Sequence, residues 1–155
     1  MNMTLRAKGK SRTCSRRAQF ARQKSCPDII SISTDELIQL IELGFPFTML
    51  KSLSSRTGIA ILDLAATLRI SERTLARRKA AGRLAPEESE RLLRIATMFE
   101  KIVQLFEGET AAAISWFKSP KKALSNYSPL QYGRFEVGAR EVETLIGRLE
   151  HGVFS

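Results

Sequence analysis

A chain of 155 residues fits one domain of ordinary size or two small ones, and a 43% apolar content is enough to bury a real core. The 25 Lys and Arg against 16 Asp and Glu give a net charge of +9. No run of about 18 apolar residues is present, so no membrane span is expected. The charge is unevenly placed: residues 1–27 hold eight basic residues and no acidic one, leaving 17 basic against all 16 acidic residues in the rest.

The first element in chain order is that basic arm, "MNMTLRAKGKSRTCSRRAQFARQKSCP". Too few large apolar residues lie in it for burial, so disorder or a frayed helix is expected over 1–27. Such a composition serves either as a solvated tail or as a flexible arm on nucleic-acid phosphates. A mitochondrial transit peptide is also basic and acid-free, whereas a secretory signal needs an apolar run after the charges and finds none. Cys14 and Cys26 lie here without a CxxC spacing and without any histidine before His151. A zinc site needs four ligands at workable spacing, so two free thiols in a reducing cytoplasm are expected, with no metal and no cofactor.

The folded part opens on "SISTDELIQLIELGFP", where Ser33 and Glu36 have the spacing of a capping box and Leu37, Ile38 and Ile41 share a helical face. Gly44 and Pro46 stop that helix, and a second one runs to Gly58. Two short helices follow in "AILDLAATLRI" and "SERTLARRKAAG". The longest helix is "APEESERLLRIATMFEKIVQLFEG", with Pro86 at its start and Glu87, Glu88 and Glu90 suited to the positive end of its dipole. Its stripe of Leu92, Ile95, Ala96, Phe99, Ile102, Val103 and Phe106 marks it as a core helix. "ETAAAISWFKSP" is a short helix halted by Pro120, and the next stretch reads as loops around a brief turn. "AREVETLIGRLEHG" is the last helix, with Val142, Leu145, Ile146 and Leu149 on one face. With no strand pattern anywhere, the fold class is all-α.

Within it, "DLAATLRISERTLARR" has the layout of a helix-turn-helix, which needs a small residue at the helix contact, a tight turn and apolar anchors on both sides. Leu64 and Leu68 are the first anchors, Ala65 the small residue, Ile70 the turn packer, Ser71 the cap and Leu75 the second anchor. Glu72, Arg73 and Thr74 then stand at the start of the recognition helix, placed for base edges. Arg77, Arg78 and Lys79 follow a turn later, where base or phosphate contact is equally open. Arg69 and Arg83 bracket the unit as phosphate holders. Arg69 occupies a turn position often held by glycine, at a cost of about 1 kcal/mol or more if its φ is positive. Such a module also serves protein binding, so the motif alone does not establish DNA binding.

The second half resembles a known family. The Trp116-x-x-x-Pro120 start, the Ala123-Leu124 and Ser128-Pro129-Leu130 turns and the ending "GAREVETLIGRLEHGVFS" are similar to the toxin-binding C-terminal domain of Xre-type antitoxins, the group that includes MbcA- and ParS-like proteins. The upstream "LRISERTLARRKAAGRL" resembles the helix-turn-helix region of the same group, and together the resemblance spans roughly residues 35–155. It implies a helix-turn-helix helical bundle over 28–108 and a small helical toxin-binding region over 109–155. It also implies a cognate RES-domain toxin that consumes or transfers from NAD, neutralised by binding near its NAD pocket, and an operator on the toxin–antitoxin operon. Arg140, Glu143, Arg148, Glu150, His151, Gly152, Val153, Phe154 and Ser155 are the expected toxin-binding residues. A homodimer is expected because such DNA readers act on paired half-sites.

An enzyme is a poor fit. His151 is the only histidine, no Ser or Cys is marked as its partner, and no P-loop, G-x-G-x-x-G or metal cluster is present. Two other readings stay open: a stand-alone transcription regulator whose C-terminal region only dimerises, and an adaptor that has lost DNA binding. For the tip at Val153–Phe154, burial in a partner competes with docking on the chain's own core. Trp116, on a short amphipathic helix, suits the core better than a contact surface, and Tyr127 and Tyr132, in loop-rich sequence, suit either.

Overall fold

Ser33 opens the first helix as its cap, accepting the Glu36 N–H at 3.3 Å. The computed structural model describes residues 32–152, so the expectations for the basic arm, its two cysteines and Val153, Phe154 and Ser155 lie outside the described residues. Eight α-helices and one 3₁₀ turn are formed within them, with no strand among the described residues. The all-α class holds.

Helix α1 (Thr34–Leu43) is followed by α2 (Phe47–Thr57), α3 (Ile61–Thr67), α4 (Glu72–Ala81) and the 20-residue α5 (Pro86–Leu105). The expected face of α1 needs one correction. Leu37, Leu40 and Ile41 pack on the core, whereas Ile38 is 50% exposed. Residues 37, 40 and 41 stand at i, i+3 and i+4, and position 38 turns 100° away from that narrow stripe. The α1–α2 linker then pairs with the α4–α5 linker: Leu84 N–H donates to Phe45 O and Phe47 N–H to Gly82 O, both at 2.9 Å. The fully buried Ser89 hydroxyl accepts the Phe45 N–H at 2.8 Å and donates to Ala85 O at 2.7 Å. No polar group is left stranded at that crossing.

Helix α5 is the common wall. It packs against α1 on one side and against α6 (Thr110–Lys118) and α8 (Glu136–Glu150) on the other. Leu92, Ile95, Ala96, Phe99 and Ile102 are buried as expected, and Met98 joins them because neighbours cover α5 on more than one face. Val103 and Phe106, near its end, are only partly buried. Phe99 meets Phe117 of α6 at 5.3 Å between ring centroids. A single core cluster runs from Phe45 to Ile146 and joins both halves of the chain.

The segment expected to be loops is more ordered than its sequence implies. After a 3₁₀ turn (Lys122–Leu124), Ser125 and Asn126 take left-handed φ values of 53° and 63°, which lets Lys121 N–H reach Tyr127 O at 3.0 Å. Helix α7 (Pro129–Tyr132) has a reciprocal cap, with Ser128 accepting the Gln131 N–H and Gln131 accepting the Ser128 N–H. The last helix, expected from Ala139, begins three residues earlier at Glu136, with extended Phe135 as its cap residue. Gly138 therefore sits inside the first turn. A Cβ there would lie 2.0 Å from Tyr132 O, so only glycine lets α7 and α8 approach this closely. Gly138→Ala is expected to destabilise by about 2–3 kcal/mol, the cost of forcing packed backbone apart. A thermal melt should show a drop of roughly 5–10 °C, and an unchanged melt would mean that α8 can shift freely.

Candidate nucleic-acid interface and partner surface

The turn between α3 and α4 is a Schellman ending. Arg69 N–H bonds to Ala66 O at 3.0 Å and Ile70 N–H to Ala65 O at 2.8 Å, a pair that requires a left-handed residue at the inner donor. Arg69 is that residue, with φ 60°. It carries the strain expected for a non-glycine there, of order 1 kcal/mol. Leu64, Ala65, Leu68, Ile70 and Leu75 are all buried, and Ser71 caps α4 by accepting the Thr74 N–H at 3.3 Å. Arg91 of α5 donates to Leu68 O at 2.8 Å and so fixes the end of α3.

Leu75 is the single buried residue of α4, so this helix presents most of its surface outward. Glu72, Arg73, Arg77 and Lys79 are exposed and, among the described residues, none of the three basic side chains forms an ion pair. Arg73 and Arg77 stand at i and i+4 on one face. The other expected contacts are placed differently. Arg78 pairs with Glu88 at 2.8 Å, and the same Glu88 oxygen accepts the Ala85 N–H at 2.8 Å at the start of α5. Arg83 donates to Leu43 O and Gly44 O at 3.3 and 2.7 Å. Thr74 is half-buried and its hydroxyl meets that of Ser71 at 3.0 Å. Arg78 and Arg83 thus tie α4 and the linker after it to the rest of the fold. Glu88→Ala removes a helix cap and leaves Arg78 without its carboxylate, so it is expected to cost about 2–4 kcal/mol. Denaturant unfolding should register this loss.

On α8, Val142 and Ile146 are buried while Leu145 and Leu149 are partly covered. Arg140 lies opposite that stripe and pairs with Glu136 at 3.2 Å, and Glu136 also holds Arg94 of α5 at 2.8 Å. Glu143 meets Lys101 at 2.8 Å, an exposed pair worth little to stability. Arg148, Glu150, His151 and Gly152 are exposed at the helix end. Trp116 is packed between Phe106, at 6.4 Å, and the Lys121 ammonium, at 5.1 Å, which supports its core role. Partial burial there lowers the pKa of Lys121 below the usual lysine value.

One feature of this half was not visible in the sequence. Tyr127, Tyr132, Arg134, Phe135, Val137 and Glu141 line an open concavity of about 700 Å³. Tyr127 and Tyr132 stack at 5.9 Å, and Phe135 faces the Arg69 guanidinium at 5.8 Å. The signal that could have found it is Val137. Counted from a helix start at Glu136, it falls about 140° off the buried Val142 stripe, an apolar residue on an outward flank.

The sequence matches the antitoxin Xre-like helix-turn-helix domain over residues 36–96 and the antitoxin Xre/MbcA/ParS C-terminal toxin-binding domain over 103–152. Among curated relatives, an antitoxin Xre of Yersinia enterocolitica is 40% identical over 77% of this chain and 81% of its own length. The chain belongs to the Xre antitoxin family. An antitoxin Xre of Photorhabdus laumondii is 30% identical over 81% of this chain and 85% of its own. On this Xre-family chain the first match covers α1 to α4 and the first half of α5, while the second runs from the end of α5 through α8. Among the described residues no helix is long and apolar enough to cross a membrane.

Proposed function

We propose that the chain is an antitoxin that binds a RES-domain toxin and occludes its NAD site, and that it represses its own operon as a homodimer. The observation that carries this reading is the pairing of two outward surfaces on one core. One is α4, held by Leu75 and offering Arg73, Arg77 and Lys79; the other lies on α7 and α8 within the stretch matched by the toxin-binding domain. Residues 28–108 would serve the operator and 109–155 the toxin, in the cytoplasm. Glu72, Arg73 and Thr74 suit base edges, Arg77 and Lys79 suit bases or phosphates, and Arg69 suits a phosphate. Two such helices in a dimer would read half-sites about 34 Å apart. Arg140, Arg148, Glu150, His151 and the residues after them would approach the toxin's NAD pocket.

The test is co-expression with the adjacent reading frame. That frame alone should arrest growth and lower cellular NAD, and co-expression should restore both. Growth arrest with an unchanged NAD pool would remove the RES assignment while keeping the antitoxin. An adjacent frame with no effect on growth would favour the stand-alone regulator.

A further inference from the structure

The concavity between α7 and α8 is the least explained surface of the molecule. Among the described residues, exposed large hydrophobic side chains are few: Ile38, Leu43, Leu62, Tyr127, Phe135 and Val137. The first three lie apart on α1 and α3. The last three all belong to the stretch matched by the toxin-binding domain, and all three line the same concavity. Val137 is 75% exposed, Phe135 55% and Tyr127 54%. Holding three such side chains in water around one hollow forgoes burial worth about 25 cal/mol per Å². An apolar hollow of this kind marks an interaction site.

We infer that this aromatic concavity is the anchoring site for the toxin, which inserts an apolar side chain flanked by carboxylates. The inference rests on the toxin-binding reading above and gives it a location at the start of α8 rather than at its end. Charge supports the choice of occupant. Arg134 lines the hollow and Arg69 lies against its Phe135, two cations to the one lining carboxylate, Glu141, and neither arginine has an ion-pair partner among the described residues. An incoming segment with acidic residues beside its apolar plug satisfies both. The geometry of α8 extends the site. At 100° per residue, Val137, Glu141 and Arg148 fall on one flank, and the 11-residue step from Val137 to Arg148 spans about 16 Å. A toxin seated in the hollow is thereby aligned with the helix end expected to reach its active site. The hollow anchors, and the helix end blocks.

Arg69 braces the edge of the site from the other half of the chain. Its backbone forms the helix-turn-helix turn and its guanidinium lies 5.8 Å from the ring of Phe135, so the first family domain touches a residue that lines the hollow.

The experiment uses the full chain and the purified product of the adjacent reading frame. Val137→Asp and Phe135→Ala alter exposed side chains, and Ile38→Asp serves as a control on an exposed apolar residue elsewhere. Calorimetric titration should show affinity falling at least tenfold for Val137→Asp and for Phe135→Ala, with Ile38→Asp and all thermal melts near wild type. Wild-type affinity in both hollow variants overturns the anchoring site and leaves the antitoxin reading intact. A wild-type chain that does not bind the product overturns both. A change in the mass of the free chain in Val137→Asp, with toxin affinity retained, assigns the hollow to a second copy of this chain and also overturns the inference.

Discussion

Alanine at both Arg73 and Arg77 is expected to weaken operator binding by about 100-fold or more while leaving the thermal melt unchanged. The size follows from the chemistry of arginine in a major groove, where each bidentate contact to guanine is worth about 1–3 kcal/mol and 1.4 kcal/mol is a factor of ten. The unchanged melt follows from the fold. Helix α4 is anchored by Leu75, by the Ser71 cap and by the Arg78–Glu88 pair, none of which the two substitutions touch. Gel-shift titrations at several salt concentrations separate the roles. If either arginine holds phosphate, the slope of log K against log salt becomes shallower by about one per residue; if it reads a base, affinity falls while the slope stays. Toxin neutralisation should remain at the wild-type level. An operator affinity unaffected by the double change would remove α4 as the reading element.

The helix-turn-helix was legible because its determinants are local. Leu64, Ala65, Leu68, Ile70, Ser71 and Leu75 lie within twelve positions, and each role follows from helix periodicity and turn chemistry. Arg69 was legible as a turn position where glycine is common, but its φ was open until the structure showed a Schellman ending, which demands a left-handed residue at that offset. The fate of Arg78 and Arg83 was not. Their partners lie 10 residues away at Glu88 and 39 and 40 residues away at Gly44 and Leu43, and only the tertiary crossing of two linkers brings the latter together. The hollow was hidden by a boundary error of three residues. A helix begun at Ala139 leaves Phe135 and Val137 in a loop; begun at Glu136, it turns Val137 off the buried stripe and sets it beside Tyr127, which a left-handed pair at Ser125 and Asn126 delivers. Helix ends are weakly encoded because terminal turns fray and short alternative caps compete with one another. Surface function at a helix start is therefore easily lost from a reading by periodicity.

Cutting the chain after Leu149 separates binding from inhibition. The fold should persist, because the fully buried anchors of α8, Val142 and Ile146, precede the cut and partly covered Leu149 is kept. Glu150, His151 and Gly152, which are lost, are exposed. If the hollow anchors the toxin, the shortened chain should still co-purify with it. If the helix end fills the NAD pocket, the same complex should regain NAD turnover, with inhibition weaker on the order of 100-fold, the effect of removing an interface hot spot. Pull-down and NAD consumption measured on one preparation give the two readouts. Neutralisation that survives the cut would place inhibition in the anchored region itself, with Arg140 and Arg148 the next residues to change. Loss of both binding and inhibition, with an intact melt, would make the helix end the anchor and leave the hollow without the role assigned to it. Only the first pattern, a toxin held but active, fits a chain that grips at the start of α8 and blocks at its end.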